Sequence, residues 1–293
     1  MNIQKWLSKN TSDLKGKSVA ITGSTGGLGK ALCRHLAGLH ADLLLLDRNM
    51  QRSHALADTL RAEFPHVRIT HLCVDMEDLT SVKAACEQLK SMPIDVLIHN
   101  AGAYSIPRRK CENGLDNVFQ INFASPYYLT KELLPQLRAR HGRVVIVGSI
   151  AHNYSKTDVN DMDFSTRKAA SKVYGNAKRY WMFAAYELFK NETNVTLSVT
   201  HPGITFTNIT AHYPKLIFAI IKHPMKIIFM HPFKASLCTL KGVFTACRYH
   251  EWFGPRIGGI WGYPKATMLR TCKPAEGKRI FEDAERIYRE MKE

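Results

Sequence analysis

Several features that would point to other classes of protein are missing from this sequence. The seven cysteines are irregularly spaced and include no C-x-x-C pair, which favours reduced thiols over a disulfide framework. The thirteen histidines include no H-E-x-x-H motif and no Cys/His pair at ligand spacing, so we expect no catalytic metal. Residues 1–17 contain no continuous apolar run, and we therefore expect no signal peptide and a cytoplasmic protein.

Acidic residues are missing from a long stretch in the last third of the chain. No Asp or Glu occurs between Thr193 and His250, where lysines flank the apolar runs Leu216–Ile221 and Ile227–Met230. These runs are too short to span a bilayer. Segment 204–250 either covers an active site as a helical, apolar lid or also lies on an anionic membrane surface as a peripheral contact. Both interpretations indicate a small lipophilic alcohol or carbonyl compound as substrate.

The charge balance is strongly basic, with a formal net charge of +16 at pH 7. Such a balance could attract nucleic acid, anionic lipid or an acidic substrate, or it could simply reflect a lysine-rich surface. No recognition motif and no platform of aromatic and basic residues accompanies it. We therefore expect no nucleic-acid partner.

Short apolar runs alternate with longer segments of helical spacing along most of the chain. Strands that are apolar throughout are covered on both faces, and their alternation with helices implies right-handed crossovers and a parallel sheet. No repeat or linker divides the 293 residues. We therefore predict a single-domain α/β protein over 1–293, a doubly wound parallel sheet (Rossmann fold) in three α/β/α layers, with an amphipathic helix over 274–293. The predicted strands are Ser18–Thr22, Asp42–Leu46, Val67–Val74, Ile94–His99, Arg143–Gly148 and Val195–His201.

A glycine-rich turn, TGSTGGLG at Thr22–Gly29, follows the first predicted strand and leads into a helix. Glycines here let the backbone approach a pyrophosphate, and the helix N-terminus offers N–H groups and a positive dipole end to the phosphates. The position of the turn after the first strand favours dinucleotide binding over a merely structural turn. Its candidate cofactor-binding residues are Gly23, Ser24, Thr25, Gly27, Leu28 and Gly29.

The ends of the following strands carry further candidate cofactor-binding residues. Asp47 stands where an acid can bind both ribose hydroxyls and repel a 2′-phosphate, whereas Arg48 could hold that phosphate or stack on adenine. Between NAD and NADP, NAD is favoured. Asp75, next to Met76, could cap the following helix, bind the adenine amino group, or do both. Small residues after the fourth strand let the chain pass close beneath a cofactor: Asn100, Ala101 and Gly102.

A serine, a tyrosine and a lysine form the candidate catalytic set. Ser149 follows the fifth strand, at the edge of the sheet where ligands bind. Tyr174 and Lys178 are four residues apart and share one helix face. Carbonyl reduction needs a proton donor, and a nearby ammonium together with an oxidised nicotinamide lowers the phenol pKa from about 10. A neighbouring hydroxyl orients the substrate oxygen.

The spacing Tyr-x-x-x-Lys occurs three times, so two occurrences must be unrelated to catalysis. The pair that begins at Tyr127 precedes the strand that delivers Ser149. The pair that begins at Tyr186 lies at the end of its helix, away from the sheet edge. Tyr174 and Lys178 open the helix between the fifth and sixth strands, and they alone should face Ser149.

Six motifs follow one another along the chain: TGSTGGLG at Thr22–Gly29, HNAG at His99–Gly102, FQINF with Asn122, VGSIA with Ser149, YGNAK at Tyr174–Lys178 and HPGITFT at His201–Thr207. These motifs, in this order, resemble the short-chain dehydrogenase/reductase superfamily over roughly Leu14 to Tyr263. The gap of 25 residues from Ser149 to Tyr174, and VTHPG with the lipophilic segment after it, resemble the retinol dehydrogenase-like branch.

The resemblance implies a role for each catalytic candidate. Tyr174 would be the general acid/base, and Lys178 would hold the nicotinamide ribose and lower the pKa of Tyr174. Ser149 would position the substrate oxygen. Asn122 would anchor a water in a proton relay, which is compatible with a structural role at a helix kink. The residues implied to surround the nicotinamide are Pro202, Gly203, Ile204 and Thr207.

The sequence departs from the family pattern at His99, where Asn is usual, and at Gly148, where Ser is frequent; neither change removes a catalytic group. The reaction class expected is NAD(P)-dependent interconversion of CH–OH and C=O. The alternatives are a non-catalytic NAD(P)-binding redox sensor and an epimerase or dehydratase of nucleotide-sugars. Sensors commonly lose the tyrosine or lysine, which this chain keeps. Relatives often form homodimers through the helices that carry Asn122 and Tyr174.

Overall fold

The computed structural model describes residues 2–204 and 230–293, which include eight strands in one sheet. The strands are β1 (Ser18–Thr22), β2 (Asp42–Asp47), β3 (Ile69–Cys73), β4 (Val96–His99), β5 (Arg143–Val147), β6 (Thr196–Thr200), β7 (Glu251–Ile257) and β8 (Trp261–Met268). Their order across the sheet is β3-β2-β1-β4-β5-β6-β7-β8. Neighbours are parallel except β8, which is antiparallel to β7. The predicted doubly wound parallel sheet is confirmed.

Helices cover both faces of this sheet. Within the described ranges the helices are α1 (Ile3–Asn10), α2 (Gly27–Gly38), α3 (Met50–Glu63), α4 (Leu79–Leu89), α5 (Asn117–Phe119), α6 (Ser125–Ala139), α7 (Ala170–Leu188), α8 (Pro232–Ala235), α9 (Leu237–Phe244) and α10 (Pro274–Lys292). One apolar cluster packs α4, α6, α7 and α10 against one face, and a second packs α1, α2, α3 and α9 against the other. A π-helical turn, Gln120–Ala124, joins α5 to α6, and a 3-10 turn, Ile150–Asn153, follows β5.

The central strands have the burial that two covered faces require. Every residue of β1 is buried, and β2 is buried except at its first residue, so neither strand alternates in polarity. The register pairs Ser18 with Asp42 and Thr22 with Leu46. Because parallel strands end at the same edge of a sheet, the glycine-rich turn after β1 lies directly beside Asp47 at the end of β2.

The last two strands were not predicted from the sequence. Gly258 and Gly259 have φ angles of +58° and +69°, values that glycine adopts without strain, and they turn the chain from β7 into β8. Pro255 and Pro264 face each other across the hairpin. Two prolines and a glycine-rich turn argue against a strand in a sequence. Here β8 lies at the edge of the sheet, and β7 pairs with β6 at Phe253 and not at Pro255, so both prolines stand where proline is tolerated.

Two predicted helices differ from the observed ones. Helix α7 begins at Ala170, so Tyr174 lies in its second turn rather than opening it. In segment 204–250, residues 205–229 lie outside the described part of the chain, together with the proposed nicotinamide contact at Thr207. The described helix α9 packs Leu237 and Leu240 into the core beside α2, because its apolar face meets the sheet. The substrate cover expected of segment 204–250 stays a prediction.

Candidate active site

The end of β4 holds the glycine-rich turn in place. The Thr22 hydroxyl accepts hydrogen bonds from the backbone N–H groups of Asn100 (3.1 Å) and Ala101 (3.0 Å). In return the Asn100 side chain donates to the carbonyl oxygens of Thr22 (3.1 Å) and Gly23 (2.8 Å). Asn100 was predicted to lie beneath a cofactor; the observed contacts of its amide are with the turn that would bind one.

The turn has no room for side chains at two of its glycines. A Cβ on Gly29 would lie 2.4 Å from the carbonyl oxygen of Gly23, and one on Gly23, whose φ is +66°, would lie 2.9 Å from Cα of Ala101. No side chain caps the first turn of α2, because Gly26 precedes it. The N–H groups of that turn therefore point to the open edge of the sheet, where they can bind a pyrophosphate.

Asp47 is turned toward the glycine-rich turn. Its carboxylate is buried and accepts from the Ser24 hydroxyl, the Ser53 hydroxyl (3.0 Å), and both the N–H (3.2 Å) and hydroxyl (3.3 Å) of Thr25. Ser24 and Thr25, predicted to contact the cofactor, thus use their side chains on Asp47. Arg48, the next residue, is exposed.

Asp75 and Met76, which follow β3, make contacts that differ from those predicted. Helix α4 is capped by Asp78, whose carboxylate accepts from Thr80 N–H (2.9 Å), and not by Asp75, which instead accepts from Glu77 N–H (3.0 Å). The cap falls three residues later than proposed because the chain first makes a turn at Asp75. Met76 buries its side chain in the core, which leaves only its backbone for a cofactor.

Ser149 lies at the carboxyl end of β5, directly before the 3-10 turn, and its hydroxyl accepts a hydrogen bond from Ala151 N–H (3.2 Å). A histidine that the sequence analysis passed over, His152, holds this serine. Burial lowers the pKa of His152 to about 4, so the ring is neutral near pH 7. Its Nδ1 donates to the carbonyl oxygen of Ser149 (2.6 Å), and its Nε2 accepts from the Thr271 hydroxyl (2.9 Å).

Tyr174 and Lys178 face Ser149 from helix α7. Lys178 is buried, its Nζ lies 5.6 Å from the centroid of the Tyr174 ring, and it donates to the carbonyl oxygen of Val147 (3.0 Å). Gly148 separates Val147 from Ser149, and a Cβ there would lie 2.7 Å from Sδ of Met182. Glycine in place of the frequent serine therefore avoids a close contact with Met182 of α7.

The pKa of Tyr174 does not follow the expectation for the protein alone. We expected Lys178 to lower it; instead burial raises it to about 12, and only the hydrogen bond with the Ser149 hydroxyl acts in the opposite direction. Burial also lowers the pKa of Lys178 to about 8. Both shifts have one cause, because a site with little water disfavours the charged form of each group. A further positive charge would be needed to lower the pKa of the tyrosine.

Asn122 lies in the π-helical turn between α5 and α6, fully buried. Its Nδ2 donates to the carbonyl oxygens of Val118 and Ala103, both at 2.8 Å, and so satisfies a carbonyl that the irregular helix leaves free. Its Oδ1 has no partner in the described residues. A Cβ on Gly102 would lie 2.8 Å from that oxygen and 3.4 Å from Nζ of Lys178. The free acceptor and the amine therefore border the same space.

The other two Tyr-x-x-x-Lys pairs have structural contacts. The Tyr127 hydroxyl donates to Glu285 on α10, and Lys131 forms an ion pair with the same carboxylate at 2.8 Å. The Tyr186 hydroxyl donates to the carbonyl oxygen of Glu251 at 2.6 Å. Neither pair approaches Ser149 through any of these contacts.

Tyr104 and the β7–β8 turn, which belong to none of the predicted motifs, also approach the site. The ring of Tyr104 meets that of Tyr174 edge-on at 5.3 Å. A Cβ on Gly203, whose φ is +81°, would lie 2.6 Å from the carbonyl oxygen of Ile260. The β7–β8 turn therefore approaches the chain just after the end of β6. Ile260 is distant in sequence from every motif, and no local pattern indicates it.

Two features are absent from the described ranges. Across 2–204 and 230–293, no helix has the length and apolar character needed to cross a membrane. In the same ranges, no three His, Cys, Asp or Glu side chains are grouped in a way that could hold a metal ion.

The doubly wound sheet, the glycine-rich turn and the serine, tyrosine and lysine at one sheet edge define a class of dinucleotide-binding oxidoreductases. The family described as short chain dehydrogenase matches residues 17–215, and the chain belongs to this family. The resemblance found in the sequence is thereby confirmed.

Similar proteins include several retinol dehydrogenases. Mouse retinol dehydrogenase 14 is 33% identical over 214 residues, which cover 68% of this chain and 64% of that protein. Human polyprenol dehydrogenase is 26% identical, with 66% and 62% covered. The chain thus spans somewhat less than two thirds of these curated relatives.

Solved structures share the fold at lower identity. An uncharacterized protein from Mycobacterium paratuberculosis superposes with a TM-score of 0.77 at 22% identity, covering 96% of this chain and 97% of that one. A short-chain dehydrogenase from Sphingobium yanoikuyae in complex with NADPH gives a TM-score of 0.61 at 23% identity, covering 77% and 83%.

Proposed function

We propose that this protein interconverts an alcohol and a carbonyl on a lipophilic small molecule, with NAD(P) as hydride carrier and Ser149, Tyr174, Lys178 and Asn122 as the catalytic set. The observation that carries the proposal is the free Oδ1 of Asn122 beside the Lys178 amine. A buried acceptor without a partner costs free energy, and a water bound there would remove that cost. Such a water would link the amine to solvent.

Each residue has a task in carbonyl reduction. When bound, a nicotinamide cofactor supplies the hydride in this direction and accepts it in the reverse one. The Tyr174 hydroxyl donates its proton to the substrate oxygen, and a pKa near 12 keeps that proton in place until it is needed. The Ser149 hydroxyl orients the same oxygen. The Lys178 ammonium stabilises the phenolate that remains, and the water at Asn122 returns the proton.

The first test is the Tyr174→Phe variant, assayed by the absorbance of reduced nicotinamide with a panel of lipophilic alcohols and carbonyl compounds. We expect kcat to fall at least about 100-fold, because general acid catalysis contributes about 10²–10⁴-fold. Cofactor affinity, measured by calorimetry, should change little, since the variant removes only one hydroxyl.

Tyr127→Phe is the matched control, because it removes the same group from a pair with the same spacing and a different location. We expect it to keep kcat. Equal kcat for wild type and Tyr174→Phe would refute the proposed role of the tyrosine. Tight cofactor binding without turnover on the whole panel would favour the redox-sensor alternative.

Cofactor preference is a second part of the proposal, and here we favour NADPH over the NAD expected from the sequence. Each oxygen of the Asp47 carboxylate already accepts two hydrogen bonds, which uses its lone pairs and leaves none for the ribose hydroxyls. Arg48 and Arg52 are exposed at the start of α3, where a 2′-phosphate would meet two cations. NADPH in the Sphingobium relative supports this choice.

Arg48→Ala tests the preference. We expect the Kd for NADPH to rise about tenfold, because one charge-assisted hydrogen bond is worth about 1.5–3 kcal/mol, and the Kd for NADH to stay the same. Arg61→Ala, at the other end of α3, should leave both values unchanged. Tighter binding of NADH than of NADPH by the wild type would restore the original expectation.

A further inference from the structure

A surface groove of about 490 Å³ lies beside the turn of α7 that carries Tyr174. Its walls come from the loop between the 3-10 turn and α7 on one side, and from α10 on the other. This loop occupies most of the interval between Ser149 and Tyr174. The groove has both aromatic and charged lining, and its charged residues are Lys156, Asp158, Arg167, Lys172 and Arg279.

Two aromatic residues of the groove also border Tyr174. Phe164 packs in a small apolar cluster against which the Tyr174 side chain lies. Tyr154 lies beside the same turn of α7, since a Cβ on Gly175 would be 3.5 Å from Cβ of Tyr154. Because these two side chains border both places, the groove adjoins the turn of α7 that carries Tyr174.

The cations of the groove are only partly neutralised. Arg167 forms ion pairs with Asp158 (2.5 Å) and Asp161 (3.1 Å), so its charge is balanced. Lys156, Lys172 and Arg279 form no ion pair with any carboxylate in residues 2–204 and 230–293. Three positive charges therefore share one groove without acidic partners.

The guanidinium of Arg279 has only part of its hydrogen-bonding capacity satisfied. One terminal nitrogen of the guanidinium donates to the Thr157 hydroxyl. Its Nε is buried and has no hydrogen-bond partner in the described residues. A buried charged donor without a partner is costly, and an anionic oxygen is the group that satisfies it best.

We propose that this groove binds the carboxylate or phosphate end of an amphipathic substrate whose alcohol or carbonyl carbon lies at Tyr174. The inference rests on the proposed function and narrows its lipophilic substrate to one with an anionic end. Lys156, Lys172 and Arg279 bind the anionic oxygens. Tyr154 and Phe164 contact the adjoining apolar chain.

The test compares ω-oxo fatty acids of graded length with their methyl esters, which keep the aldehyde and the chain and remove the charge. At the length that spans the groove, we expect kcat/KM for the acid to exceed kcat/KM for the ester about tenfold. In the double variant Lys156→Ala/Lys172→Ala, kcat/KM for the acid should fall about tenfold, and kcat/KM for the ester should change less than about twofold.

Lys278→Ala is the matched control, because Lys278 precedes Arg279 on α10, has a side chain 79% exposed, and does not line the groove. It should leave kcat/KM unchanged for both substrates, and Lys172→Arg should keep the preference for the acid. The proposal is overturned if acid and ester are reduced equally at every length. It is also overturned if the control variant lowers kcat/KM for the acid as much as the double variant does.

Failure of the groove can be told apart from failure of the proposed function. Reduction of the ester, lost in Tyr174→Phe, supports the function whatever the acid does. If neither compound is reduced, calorimetric titration of the acid into wild type and double variant still decides: tighter binding to wild type supports the groove, and equal binding overturns it. If inorganic phosphate binds as tightly as the acid, the occupant is a free anion and the substrate assignment is wrong.

Discussion

Lys178 carries a charge in a place where the protein stabilises it poorly. The side chain is buried, and its one hydrogen bond in the described residues goes to a backbone carbonyl. Burial lowers its pKa from 10.5 to about 8. Below pH 8 the protonated amine therefore reduces the free energy of unfolding. This cost decreases as the pH rises from 8 to 10.5, where the unfolded chain keeps the proton and the folded one does not.

Lys178→Met should therefore stabilise the protein while it removes activity. We expect the free energy of unfolding at pH 7, measured by urea denaturation without cofactor, to rise by about 1–2 kcal/mol. At pH 9.5 the difference from wild type should be smaller, because the wild-type amine is then neutral. A variant less stable than wild type at pH 7 would show that the lysine contributes to folding after all.

At the scale of elements, Arg179 joins α7 to α10 and to the turn behind Ser149. The guanidinium is buried and forms hydrogen bonds with both carboxylate oxygens of Glu276, at 2.8 and 2.6 Å. It also donates to the carbonyl oxygens of His152 (3.2 Å) and Thr271 (2.5 Å). Burial raises the pKa of Glu276, but the hydrogen bonds and charge of Arg179 outweigh it, and the net shift is downward.

Arg179→Leu should lower the free energy of unfolding by about 3 kcal/mol at pH 7, because it leaves a partly buried carboxylate without its partner. The lowered pKa of Glu276 means that the pair stabilises the fold above pH 4.5 and that this contribution is lost as the pH falls through the folded-state pKa. The difference between variant and wild type should thus shrink in acid.

Arg286→Leu is the control for this prediction, since it breaks exposed ion pairs on the same helix. We expect a change below about 0.5 kcal/mol from it. Equal losses from the two variants, or a loss for Arg179→Leu that is the same at pH 4 and pH 7, would contradict the assigned contribution of the Arg179–Glu276 pair.

At the scale of the whole molecule, α10 covers the two helices through which relatives often dimerise. Its buried face packs Ile280, Ala284 and Ile287 into the core beside α6 and α7. Polar contacts bind it further: the Tyr180 hydroxyl donates to Asp283 at 2.9 Å. A second copy of the chain would have to displace this helix to reach α6 and α7.

We therefore expect a monomer of 33.2 kDa in light scattering at micromolar concentration, in place of the homodimer that the family resemblance suggested. Removal of α10 should expose the apolar faces of α6 and α7 and produce self-association. A particle of twice the monomer mass, with cross-links between α6 or α7 of two copies, would show that the covered face is used.

The basis of the fold lies in local patterns of the sequence. The first six strands end within about two residues of their predicted positions at the edge that carries the site, since apolar runs of strand length are needed wherever both faces of a sheet are covered. The place of Tyr174 and Lys178 among three identical spacings also followed from chain order alone.

Which groups meet across the fold was decided only by the tertiary structure. Asp47 faces Ser24 and Ser53 and not an open ribose site, and Tyr127 meets Glu285, which lies 158 residues further along the chain. Such pairs leave no periodic trace in a sequence, because they depend on which surfaces pack together. Whether the cations of the groove have acidic partners likewise depends on which surfaces pack together. The sequence by itself determined the first six strands and the chemical groups at their ends; packing determined the last two strands and the partners of those groups.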